Sequence, residues 1–114
     1  MGMSKETEQN IQQLQLIEQN LQNFLVQKQN FQLQLMEVES AFDELDKTDT
    51  AYKIVGNIMI HADKDKLKEE LSSKKETLYL RLKSIEKQES KIREKATKLQ
   101  QEVLENLNSA SPQE

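Results

Sequence analysis

Tyr52-Lys53-Ile54-Val55-Gly56-Asn57-Ile58-Met59-Ile60 is the one strand-like run in a chain that otherwise reads as two long helices. The β-branched residues Ile54, Val55, Ile58 and Ile60, together with Tyr52, favour a pleated, partly buried backbone. Gly56-Asn57 divides the run in two, and a glycine at the first central position suits a two-residue II′ turn whose twist matches that of the strands it joins. A β-hairpin is therefore expected over about 51–62, at the bend of a helical hairpin. An isolated two-stranded hairpin is marginal in water, and this one is apolar at consecutive positions, so both faces need cover. Nothing else in the chain offers it. The expectation is that hairpins of several subunits assemble, through Tyr52, Ile54, Val55, Gly56, Ile58 and Ile60.

On the N-terminal side the apolar residues keep three-four spacing: Leu14, Ile17, Leu21, Phe24, then Lys28, then Phe31, Leu35, Val38, Phe42 and Leu45. Sustained over about five heptads, this is a coiled-coil seam, because a simple amphipathic face would drift away from it. The outer positions are rich in Gln, a good helix former. Asp46-Lys47-Thr48-Asp49-Thr50 breaks the pattern with turn-favouring residues. Helix 1 is expected over about 5–47. On the C-terminal side, Asp63 or Asp65 can cap a second helix. Its seam runs through Leu71, Lys75, Leu78, Leu82, Ile85, Glu89, Ile92, Ala96, Leu99 and Val103. Glu70 to Lys74, Glu89 to Arg93 and Glu94 to Lys98 are favourably oriented i,i+4 pairs. Helix 2 is expected over about 64–108 and a flexible tail over 109–114, all within a single domain spanning 1–114. The predicted fold is mainly α: a long antiparallel two-helix coiled coil with one β-hairpin at the bend, the hairpins assembling into β-barrels in an oligomer.

Antiparallel helices bring a specific register with them. Each seam has a charged residue near its middle, Lys28 in one and Glu89 in the other. If these face each other, Leu45 meets Leu71, Val38 meets Leu78 and Phe24 meets Ile92. A slip by one heptad would set both charges against apolar partners, which costs several kcal/mol per buried charge. Lys28 and Glu89 are thus the expected register pair.

Composition excludes several function classes. Charged residues make up 32% of the chain and aromatics 4%, which suits long helices and coiled coils better than a globular core. The net charge of −4 argues against a nucleic-acid or membrane-surface role, both of which need a basic face. Its distribution is uneven: residues 1–47 hold three Lys against eight acids, while residues 63–114 hold twelve basic residues against eleven acids, so the arms are mildly complementary. With no Cys and one His, the chain has no disulfide framework and no thiol zinc site, and no catalytic constellation stands out in it. His61 reads as a strand-end residue. Asp63, Asp65 and Glu69 could form at most a weak surface cluster, so no metal and no cofactor are expected. There is also no phosphate-binding glycine loop, and the chain is not expected to be an enzyme. No apolar run approaches the ~20 residues that span a bilayer, nor does the N-terminus carry a signal-peptide core. A cytoplasmic location is the corresponding expectation.

Apolar residues outside the seams remain to be explained. Near the ends of the arms, Ile11, Leu14, Leu16, Leu104 and Leu107 sit where a two-helix coil has little to bury them. They are candidates for a surface that binds other polypeptides.

The chain resembles the β-type subunit of prefoldin, archaeal-like, in nearly its whole length. The likeness is carried by Val26-Gln27-Lys28-Gln29 in the Gln-rich helix, by the Tyr-Lys-x-Val-Gly-x-Ile-x-Ile pattern of residues 52–60, and by Leu78-Tyr79-Leu80-Arg81 and Gln88-Glu89 in the charged helix. A single hairpin between the helices matches the β type, whereas the α type inserts two. The resemblance implies a hexamer of two α and four β subunits, with a β-barrel platform from which coiled coils hang. It also implies capture of non-native polypeptides at the tips without ATP, and their delivery to a group II chaperonin. Its rival is a structural coiled-coil adaptor that oligomerises without binding clients.

Overall fold

In the computed structural model, which describes residues 4–110, four elements follow one another: α1 (Lys5–Asp46), β1 (Ala51–Val55), β2 (Ile58–Ala62) and α2 (Lys64–Ala110). α2 runs two residues into the segment expected to be a tail, since Asn108-Ser109-Ala110 contains nothing that forbids a helix and the helix-breaking Pro112 comes later. The remainder of that expected tail, 111–114, lies outside the described residues.

Local chemistry sets the helix ends. Ser4 caps α1: its Oγ accepts a hydrogen bond from the Thr7 N–H at 3.1 Å, and its carbonyl accepts one from the Glu8 N–H at 3.0 Å. Glu6 and Glu8 place negative charge in the first turn, where the helix dipole favours it. At the other end, the Lys47 and Thr48 N–H groups reach back to the Glu44 and Leu45 carbonyls, tightening the last turn into three-residue steps. The Thr48 hydroxyl then donates to the Thr50 carbonyl at 3.0 Å and accepts from the Thr50 N–H at 3.3 Å, which leads the chain into β1. Of the two candidate caps for α2, Asp63 takes the role. Its carboxylate accepts the Asp65 N–H at 2.9 Å and its carbonyl the Leu67 N–H at 2.9 Å.

Burial follows the three-four spacing. Every seam position named above, from Leu14 to Leu45 and from Leu71 to Val103, is buried or half-buried. The off-seam residues Leu16, Leu25, Val26, Leu33, Met36, Leu80, Leu104 and Leu107 are all exposed. The fold is thus two long helices packed together plus a two-stranded antiparallel hairpin, as predicted. By its contacts the chain forms two compact units, one made of α1 up to Gln27 with α2 from Ile85 onward, the other of residues Lys28–Ser84.

In the Lys28–Ser84 unit, Val38, Leu45, Leu78 and Leu82 form the buried seam. The charged residues beside it are matched across the helices. Lys75, at a seam position, lies 3.7 Å from Glu39, whose carboxylate also accepts the Tyr79 hydroxyl at 3.2 Å. Arg81 lies over the Phe31 ring at 5.9 Å and Lys68 over Phe42 at 5.7 Å, so basic heads cover the half-buried aromatic edges of the seam. Lys68 also pairs with Asp46. That hydrogen bond and its attraction hold the Asp46 carboxyl below the ordinary 3.8.

In the other unit, Ile17, Ile85 and Leu99 are the buried apolar residues. Two polar residues join them: Thr7 at 2% exposure and Asn10 at 8%. Counting back from Leu14 by four and then three lands on Asn10 and Thr7, so the seam continues to the start of α1 with polar occupants.

Candidate assembly and client-binding surfaces

The hairpin is a two-residue connection, with Val55 paired to Ile58 across Gly56-Asn57. Gly56 has φ +61°, and among the described residues no non-glycine residue has positive φ. A positive φ at the first central residue alone is what the II′ geometry demands. Strand pairing sets Tyr52 against His61, Lys53 against Ile60 and Ile54 against Met59. Side chains alternate, so Tyr52, Ile54, Met59 and His61 share one face, and Lys53, Val55, Ile58 and Ile60 the other. His61 is explained by its neighbour: its ring meets Tyr52 edge-on, with centroids 5.6 Å apart.

Most of this hairpin is uncovered. Tyr52, Ile54, Val55, Ile58, Met59 and Ile60 are all exposed, Ile54 at 70%, and only Ala51 at its root is buried. Met59 joins the residues singled out from the sequence. Its signal was the strand alternation, which puts it opposite Ile54. Among the described residues the sheet has two strands, so each strand also has one edge whose backbone groups lack a strand partner there. Lys53 reaches Glu70 on α2 at 3.0 Å, anchoring β1 to the helix. Glu70 therefore engages the hairpin, a partner that helical spacing alone does not suggest. Beside the hairpin root lies a groove of about 970 Å³ lined by Ala41, Leu45, Ala51, Tyr52, Leu67 and Leu71, among others.

The second candidate surface belongs to the unit that contains both helix ends nearest the chain termini. Leu16, Leu104 and Leu107 are exposed there at 58%, 60% and 41%, whereas Ile11 and Leu14 are half-buried. The predicted five are thus not equivalent. In the same unit the Asn10 side-chain amide donates to the Glu102 carboxylate at 3.3 Å, and the Ser4 and Thr7 hydroxyls are 2.8 Å apart. Of the expected register pair, Lys28 is half-buried, and Glu89 is 15% exposed in its side chain and has Arg93 3.8 Å away. Among the described residues no group of His, Cys, Asp or Glu is placed to hold a metal, and no helix is long and apolar enough to cross a membrane.

Comparison with known proteins points to one family. The family model for prefoldin subunits matches residues 8–110. A prefoldin subunit beta of Archaeoglobus fulgidus is 42% identical over 78 residues, 66% of each chain. One from Saccharolobus islandicus is 37% identical over 83 residues, 70% of this chain and 66% of that relative. These matches therefore span just under two thirds of the relatives' length. The crystal structure of the prefoldin beta subunit from Thermococcus strain KS-1 superposes with a TM-score of 0.86 at 34% identity, covering 97% of this chain and 98% of that one. The chain belongs to the prefoldin family. Its single hairpin and these relatives place it with the β type.

Proposed function

We propose that the chain works as a β subunit in a hetero-hexamer of two α and four β subunits, in the cytoplasm, and captures non-native polypeptides without ATP for delivery to a group II chaperonin. Tyr52, Ile54, Val55, Gly56, Ile58 and Ile60, with Met59, build the platform by joining neighbouring hairpins. Ile11, Leu14, Leu16, Leu104 and Leu107 contact the client. The observation that carries the reading is the exposure of Leu16, Leu104 and Leu107, which stand off the buried seam in the turns of α1 and α2 toward the chain termini. Isolated helical leucines bind weakly, but several arms on one platform raise the effective concentration of the next contact and give avidity.

The test is removal of residues 1–12 and 104–114, followed by an assay for suppression of aggregation of a denatured protein by the assembled complex. Loss of protection with the native mass otherwise intact is expected. Full protection by the truncated assembly would favour an adaptor that only spaces its partners.

A further inference from the structure

Near the chain termini two consecutive seam positions of α1 are polar, whereas elsewhere the seam is apolar apart from the single charged residues Lys28, Lys75 and Glu89. Thr7 and Asn10 occupy consecutive seam positions and are among the most buried residues of the chain, and Asn106 on α2 is half-buried. Asn10 spans the interface to Glu102. Buried polar residues in a seam hold one alignment at a cost in stability, since an apolar pair of similar size gains more from leaving water. Their hydrogen bonds are also ones that water or a peptide backbone can replace, which is not true of a leucine contact. Just inward of Asn10 lie Leu14 and Ile17 on α1, with Leu99 and Val103 on α2, all of them covered or half-covered.

We infer that Asn10 and Glu102, with Thr7 buried beside the Ser4 cap, form a polar clasp at the end of the coil. When it opens, the seam residues Leu14, Ile17, Leu99 and Val103 become part of the client-binding surface. The clasp closes the arm in the absence of client and yields to a non-native chain that supplies both apolar side chains and backbone hydrogen bonds. This deepens the client-capture reading and rests on it, because the exposed leucines make first contact and the seam follows.

Two variants of Asn10 push the clasp in opposite directions, and both are made in the assembled complex. Asn10→Leu extends the apolar seam while Glu102, already exposed, turns to solvent. Amide exchange over residues 14–17 and 99–103 should slow about tenfold, and protection of a denatured client should fall. Asn10→Asp sets a carboxylate against Glu102, so exchange over the same residues should quicken and protection should be retained. Unchanged exchange in both variants would overturn the clasp. Slower exchange in Asn10→Leu with full protection would overturn the use of the seam. Leu104→Ser with Leu107→Ser separates the two readings: lost protection with unchanged exchange supports client capture at the exposed leucines, and full protection removes that reading whatever the clasp does.

Discussion

The hairpin and the chain-terminal end of the coil both expose apolar side chains, but on backbones of different kinds. On the hairpin, six such residues crowd into nine positions, and each strand has one edge without a strand partner. Such an edge is completed only by another strand in register, because main-chain hydrogen bonds form at fixed intervals. In the unit that holds the chain termini, Leu16, Leu104 and Leu107 stand on helices whose backbone groups are already paired within the helix. A partner there needs apolar side chains and no particular register. Under the proposed function the contrast separates a permanent interface from an undemanding one: backbone edges confer specificity, and helix-borne side chains confer tolerance.

The strongest way to break that comparison is Val55→Asp with Ile58→Asp. These are strand partners on one face, so the change removes about 1.5–3 kcal/mol per side chain of the burial that the proposed assembly would supply and places two like charges opposite each other. Native mass should drop to that of unassembled chain while helical circular dichroism is largely kept; normal assembly would deny the hairpin its role. Next in size is the pair Lys28 and Glu89, which we propose sets the register. Each alanine substitution should cost ~1–3 kcal/mol, and a double-mutant cycle by thermal melting should show coupling. Additive losses would remove the register role. Gly56→Ala sharpens the hairpin side. A Cβ there meets no atom within 4 Å, so the cost of about 1–2 kcal/mol is conformational and comes from the positive φ alone. It should shift the assembly midpoint and leave the helices unchanged.

The smallest effect is at Asp46. Its carboxyl is held below its ordinary value by the Lys68 hydrogen bond. A depressed carboxylate stabilises the fold above the unfolded-state value and loses that contribution as pH falls through its lower folded value. The stability difference between the wild type and Asp46→Asn should therefore be present near neutrality and vanish in acid, as read from thermal melts. Because Asp46 is exposed, added salt should shrink it as well.

Much of this was legible in the residues. Three-four spacing marks both seams because the period of a coiled coil is a local property of each helix. Ile-Val-Gly-Asn-Ile likewise marks the turn, because only glycine adopts φ +61° readily. Register-dependent partners were less legible. Glu70 looked like a helical partner of Lys74 but reaches Lys53 on β1. Ile11 and Leu14 looked as available as Leu104, yet they are half-covered.

The sequence by itself determined the two helices, the hairpin between them and the faces that must be buried, because periodicity, turn propensity and residue type act within a few residues of one another. Only the tertiary structure decided that the seam extends to Thr7 and Asn10, that Asn10 meets Glu102, and that Ala51 at the hairpin root is buried. Those outcomes depend on what another part of the chain supplies across the interface. A polar residue at a seam position reads as surface until a second helix removes it from water.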